Sequence, residues 1–129
     1  MGFQEAVDLI NNSSRVLITT HAQPDGDGCG SAMALWHVLK GVGKDVRVVM
    51  LSEVPEWYDF IFVEKPKVLD SDIALGQLKE DDQFAADLII IVDTNSRNQL
   101  GDFAKYLNDS ATPVLVIDHH ETSDHLGSV

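Results

Sequence analysis

Apolar and polar positions along this chain spell short buried strands separated by helices. Residues 3–12 place Phe3, Ala6, Val7 and Ile10 at helical spacing, and Asn11-Asn12-Ser13-Ser14 breaks the pattern. Val16–Thr20 is a β-branched apolar run and predicts a buried strand. From Cys29 to Lys40, Ala32, Ala34, Leu35, Val38 and Leu39 suit a helix packed on a sheet, stopped by Gly41 and Gly43. Asp45–Leu51 predicts the next strand. Pro55–Val63 predicts a short helix starting near its proline, and Lys67–Leu69 a short strand. Residues 70–86 are polar, with a turn at Asp81-Asp82. Leu88–Val92 is the strongest strand signal, Asn98–Asn108 predicts a helix, and Val114–Ile117 a last strand. Residues 121–129 read as a polar, loose end.

Strand alternating with helix is an α/β pattern. Unbroken apolar strands need cover on both faces, so the expected fold is a mostly parallel sheet flanked by helices. The chain has 129 residues, the size of one domain, without an internal repeat or linker.

The residues that end the strands carry the chemistry. The first strand runs into His21-Ala22-Gln23-Pro24-Asp25-Gly26-Asp27-Gly28, the third long one ends at Asp93, and the last at Asp118-His119-His120. Parallel sheets bind ligands outside the carboxyl ends of their strands. Neighbouring strands lie about 4.8 Å apart, so their terminal side chains can share an ion. A mixed Asp and His set suits manganese, iron, cobalt or zinc better than calcium. There are enough ligands for two ions, a common arrangement in phosphoester hydrolysis.

Taken singly, each piece has a plainer reading. Asp-Gly-Asp-Gly is most often a turn, and Asp93 and Asp118 could be caps. An EF-hand fails, because the twelfth position from Asp25 is Trp36 rather than Glu. A zincin helix fails on spacing, since His125 follows His120 by five residues rather than four. The start of a zinc deaminase motif at His119 lacks its paired cysteines. The glycines after His21 match neither dinucleotide nor Walker loops. Trp57, Tyr58 and Phe60 read first as a helix covering the sheet, with stacking on a base as the alternative. Arg97 could hold a phosphate bidentately. Three His- and Asp-rich strand endings together are harder to assign to turns.

Composition narrows the classes. A formal net charge of −12 removes the basic footprint expected for long duplex nucleic acid, although a short phosphorylated ligand stays open. The single cysteine, Cys29, rules out a disulfide framework and fits a cytoplasmic, reducing setting. The opening residues do not read as a signal peptide, and no apolar run reaches membrane-span length.

The motif His21-x-x-Pro-Asp25-Gly-Asp27-Gly, the strand-terminal Asp93 and the triplet Asp118-His119-His120 resemble the DHH phosphoesterases in order and strand context. Within that family the form of the first motif and Asp93-Thr-x-x-Arg97 look most like the nanoRNase and pAp-phosphatase branch. The resemblance implies hydrolysis of phosphoester bonds in short oligonucleotides or nucleotides. It implies two manganese ions, with magnesium or cobalt as alternatives. His21 and Asp25 would bind one ion, Asp27 and His119 the other, and Asp93 both. His120 would face the substrate phosphate, Asp118 would orient the histidines, and water would be the nucleophile. Exopolyphosphatase or pyrophosphatase activity, cyclic dinucleotide hydrolysis and a non-catalytic binding module are the alternatives. The family also carries a fourth aspartate motif and a second, DHHA1-type domain. Only nine residues follow His120 here, so residues 1–129 are expected to be a truncated N-terminal DHH domain with an incomplete second metal site. An apolar face left open in this way would favour homo-oligomers.

Overall fold

The computed structural model describes residues 2–121 and 123–128. Its element order is α1 (Phe3–Asn11), β1 (Arg15–Thr19), α2 (Gly26–Gly41), β2 (Asp45–Met50), β3 (Lys67–Val68), α3 (Leu75–Glu80), β4 (Leu88–Val92), α4 (Phe103–Asp109) and β5 (Val114–Ile117). Short 3₁₀ helices at Glu56–Ile61, Asp82–Phe84 and Arg97–Leu100 join them. The five strands form one parallel sheet in the order β3-β2-β1-β4-β5. The chain therefore builds outward from β1 to β3, then crosses back and starts again at β4 on the other side of β1. That reversal opens a crevice between the carboxyl ends of β1 and β4, where sheets of this kind bind ligands.

Burial on both faces explains why the strands read as continuous apolar runs. All five residues of β4 are buried. Leu88, Ile90 and Val92 join Val16, Ile18, Cys29, Ala32 and Leu39 in one core layer. Ile89 and Ile91 join Leu17, Leu78, Phe103 and Tyr106 in the other. Successive strand side chains alternate between these layers because the β repeat is two residues. Cys29 is 0% exposed, and burial pushes its thiol up to about 11. A thiol reagent at pH 8 is expected to leave Cys29 unlabelled in the folded protein and to label it fully in denaturant. Rapid native labelling, followed by absorbance, would contradict that packing.

Several elements differ from the sequence expectation. Helix α2 starts at Gly26 rather than Cys29, because Asp25 caps it: the Gly28 N–H donates to Asp25 Oδ1 at 2.9 Å. The expected helix over residues 98–108 is split, because Gly101 adopts φ +55, ψ −135, which no α-helix accommodates. The polar stretch 70–86 contains α3, whose apolar stripe is only Leu75 and Leu78. Among the described residues after His120 there is no regular element, yet they are tied down. The Asn95 Nδ2 donates to Ser123 Oγ (2.7 Å), its Oδ1 accepts from Leu126 N–H (3.0 Å), and Ser128 N–H donates to Val114 O (2.7 Å). Among the described residues no helix is long and apolar enough to cross a membrane.

Candidate metal centre

Strand register brings the three endings together. Thr19 pairs with Ile91, and Ile91 with Val116. Two residues further on, the same register sets His21, Asp93 and Asp118 side by side. The Thr20 hydroxyl donates to Val92 O at 2.8 Å, and Asp93 N–H donates to Ile117 O at 2.9 Å, which locks these ends to one another. Asp93 itself has φ +62, a left-handed conformation that costs a non-glycine residue about 1 kcal/mol or more and often marks a functional site.

Asp93 is 5% exposed and lies at the centre. Its Oδ1 is 2.9 Å from His119 Nε2, and its Oδ2 is 3.5 Å from His21 Nε2. His21 Nε2 is also 3.6 Å from Asp25 Oδ1. Two sets of ligand-capable atoms result, each within 4.8 Å: His21, Asp25 and Asp93; and Asp93, Asp118, His119 and His120. Asp93 belongs to both.

Protonation follows from the hydrogen bonds. His21 Nδ1 lies 2.8 Å from Ala22 O, so the nitrogen that faces the carbonyl carries a proton. In the neutral ring that leaves the lone pair on Nε2, facing two carboxylates. The Gly28 N–H bond to Asp25 holds that carboxyl below the usual range, and Coulombic attraction to His21 works in the same direction. His120 Nδ1 sits 2.5 Å from Asp118 Oδ1, and this bond raises the imidazole's affinity for its proton. The other Asp118 oxygen, Oδ2, is buried without a hydrogen-bond partner among the described residues.

These features fit divalent cations. A lone pair aimed at carboxylates, a buried orphan carboxylate oxygen and a central Asp shared by two ligand sets each call for positive charge. Asp27 stands exposed in the first turn of α2 and joins neither set. Arg97 is exposed; its guanidinium donates to Asn108 Oδ1 at 2.8 Å and its N–H to Asp124 Oδ2 at 2.7 Å.

The DHH family, N-terminal domain, matches residues 15–128. The chain belongs to the DHH family. Among its relatives is the bifunctional oligoribonuclease and PAP phosphatase NrnA of Mycoplasma genitalium. It is 29% identical over 125 residues, covering 96% of this DHH chain and 36% of the relative. The cyclic-di-AMP phosphodiesterase PdeA of Listeria monocytogenes is 26% identical over 133 residues, 94% of the chain and 19% of the relative. A probable manganese-dependent inorganic pyrophosphatase of Listeria innocua is 30% identical over 122 residues, 88% and 35% respectively. This DHH chain thus spans about a third of these relatives or less. A solved exopolyphosphatase-related protein from Bacteroides fragilis shares the fold, with a TM-score of 0.78 at 22% identity over 98% of the chain and 36% of that structure.

Sequence reasoning passed over several residues that hold the DHH motifs in place. Ala22 N–H donates to Gln99 O (2.7 Å) and Gln23 N–H to Ser52 Oγ (2.6 Å), so the first motif is clamped from the 3₁₀ helix Arg97–Leu100 and from the segment after β2. The Thr94 hydroxyl donates to the side-chain carbonyl oxygen of Gln99. None of these contacts has a local sequence signal. Thr20 did have one: a polar residue closing a buried strand must find a partner.

Proposed function

We propose that the intact protein is a metal-dependent phosphoesterase that hydrolyses short oligonucleotides or nucleotides such as 3'-phosphoadenosine 5'-phosphate, with manganese as its first-choice ion, in the cytoplasm. The observation that carries the reading is Asp93, one buried carboxylate common to two ligand sets. His21 and Asp25 would hold one ion with Asp93. His119 would hold the other, with Asp27 as a further ligand from the start of α2. When bound, such a pair supplies Lewis-acid stabilisation of phosphoryl charge and lowers the pKa of water. Asp118 orients His120 through the 2.5 Å bond, and the protonated ring can offer its free nitrogen to a phosphoryl oxygen. Arg97 would be a second phosphate contact once it leaves Asn108.

The name of the NrnA relative supports this substrate choice, and pyrophosphate and cyclic di-AMP follow from the other two names. The test is a panel of these four substrates with the intact protein and manganese. Hydrolysis of the oligoribonucleotide and the bisphosphate nucleotide is expected, abolished by EDTA and restored by manganese. Calorimetric manganese binding without turnover of any substrate would replace the enzyme with a binding module.

A further inference from the structure

The connection that leaves the carboxyl end of β2 carries aromatic side chains that the core does not use. β2 is the neighbour of β1, so this connection emerges on the same sheet edge as His21, Asp93 and Asp118. In its 3₁₀ helix Glu56–Ile61, Tyr58 and Ile61 turn inward and pack against the core. Trp57 and Phe60 do not: they are 72% and 84% exposed. A single exposed aromatic is ordinary, but an indole and a phenyl left open on one turn are not explained by packing.

Their position is tied to the metal centre. The Tyr58 ring lies against Gly26, where a Cβ would be 3.5 Å from its Cε1, and Gly26 follows Asp25 directly. The Trp57 ring stands edge-on to Tyr58 with centroids 6.0 Å apart. Ser52, at the base of the same connection, accepts from Gln23 N–H in the first motif. Packing therefore runs from Gly26, next to Asp25, through the Tyr58 ring to the exposed Trp57 indole. The connection serves as a buttress through Ser52 and Tyr58 and leaves Trp57 free.

We propose that Trp57, flanked by Phe60, is a stacking platform for a base of the substrate whose phosphate reaches the metal centre. This rests on the phosphoesterase reading above and sharpens it. An aromatic platform favours a nucleotide, because every base has a π-face, and gives no advantage to pyrophosphate or polyphosphate. Trp57 would thereby set the preference of this site for nucleotide over inorganic substrates.

The experiment compares kcat/KM of the intact protein for adenosine 3',5'-bisphosphate and for pyrophosphate, with manganese. Trp57→Ala is expected to lower the ratio of the two by about 10-fold, mainly through KM for the nucleotide, from the usual strength of base stacking. Trp57→Phe should restore most of it. A second measurement does not need turnover: the emission difference between wild type and Trp57→Phe should be quenched by the bisphosphate nucleotide and not by pyrophosphate. An unchanged ratio, or a lower melting temperature with no change in selectivity, would overturn the platform. That result would mean the rings are covered by another protein surface or by a second copy of this chain. If the wild type hydrolyses neither substrate, the phosphoesterase reading fails, and the quenching result still decides the platform.

Discussion

Asp93→Asn is expected to leave the fold intact and abolish the response of the protein to manganese. Asparagine is nearly isosteric and, with Asp and His, tolerates the left-handed backbone at φ +62 better than other side chains. It keeps an oxygen for His119. What it removes is a charge at 5% exposure, close to Asp25 and Asp118, so the metal-free variant should melt no lower than wild type. With manganese the two proteins should part. At 100-fold excess over Kd one bound ion stabilises a fold by about 2.7 kcal/mol. For a domain of this size that is roughly a 10 °C rise in melting temperature, which the variant should lack. Because Asp93 belongs to both ligand sets, binding at either set should be weakened. If the intact protein turns over substrate, kcat/KM should fall by about 10³-fold or more, the equivalent of several kcal/mol of lost charge stabilisation. A variant that still shifts by the wild-type amount in a thermal melt would place the shared carboxylate elsewhere.

The strand endings could be located in the sequence because parallel strands buried on both faces are runs of apolar residues, and the first polar residue after each run is conspicuous. Val92-Asp93 and Ile117-Asp118 are such boundaries, and the register then needs only parallel neighbours to join them. The start of α2 was less legible for a related reason. Asp-Gly-Asp-Gly has poor helix propensity and reads as a turn, yet Gly26 and Gly28 are the first and third residues of the helix. Gly28 is there to let Thr20 approach the backbone, which is long-range information, whereas a Cβ at Gly26 would meet the Tyr58 ring at ordinary contact distance. Gly101 shows the opposite failure. Flanking apolar spacing carried the expected helix straight through a residue whose φ/ψ forbids it. The Asn95 clamp on residues 123–126 joins positions about thirty apart and has no periodicity to betray it. Asp27 was metal-capable by its residue type and was given to a second ion by the resemblance; its place outside both ligand sets goes with its exposed position in the first turn of α2, two residues past Asp25.

Gly28→Ala should destabilise the protein and weaken its metal centre together. Alanine is normally worth about 1 kcal/mol over glycine within a helix. Here its Cβ would fall 2.7 Å from Thr20 Oγ1, 3.2 Å from Cγ2 and 3.4 Å from Cβ. Thr20 has little freedom to retreat. It is 0% exposed, β-branched, and its hydroxyl is committed to Val92 O at 2.8 Å. Overpacking of this kind costs about 1–3 kcal/mol, enough to outweigh the propensity gain. The net loss should lower the melting temperature by about 5 °C. The strain has a direction. Thr20 and Val92 immediately precede His21 and Asp93, so pushing Thr20 off its carbonyl moves two of the three residues proposed to hold the first ion. Manganese affinity should drop by roughly tenfold, a cost of about 1.4 kcal/mol at the site. Thr20→Ala separates this account from a general helix effect. Alone it should cost about 1 kcal/mol, since Val92 O loses its donor. In the double variant the clash is gone, because only the Thr20 Cβ, already at ordinary contact distance, remains opposite the new methyl. The double variant should then be no less stable than Thr20→Ala, giving a coupling energy of about 1 kcal/mol or more. Strictly additive losses would show that Gly28 is required for some reason other than its approach to Thr20.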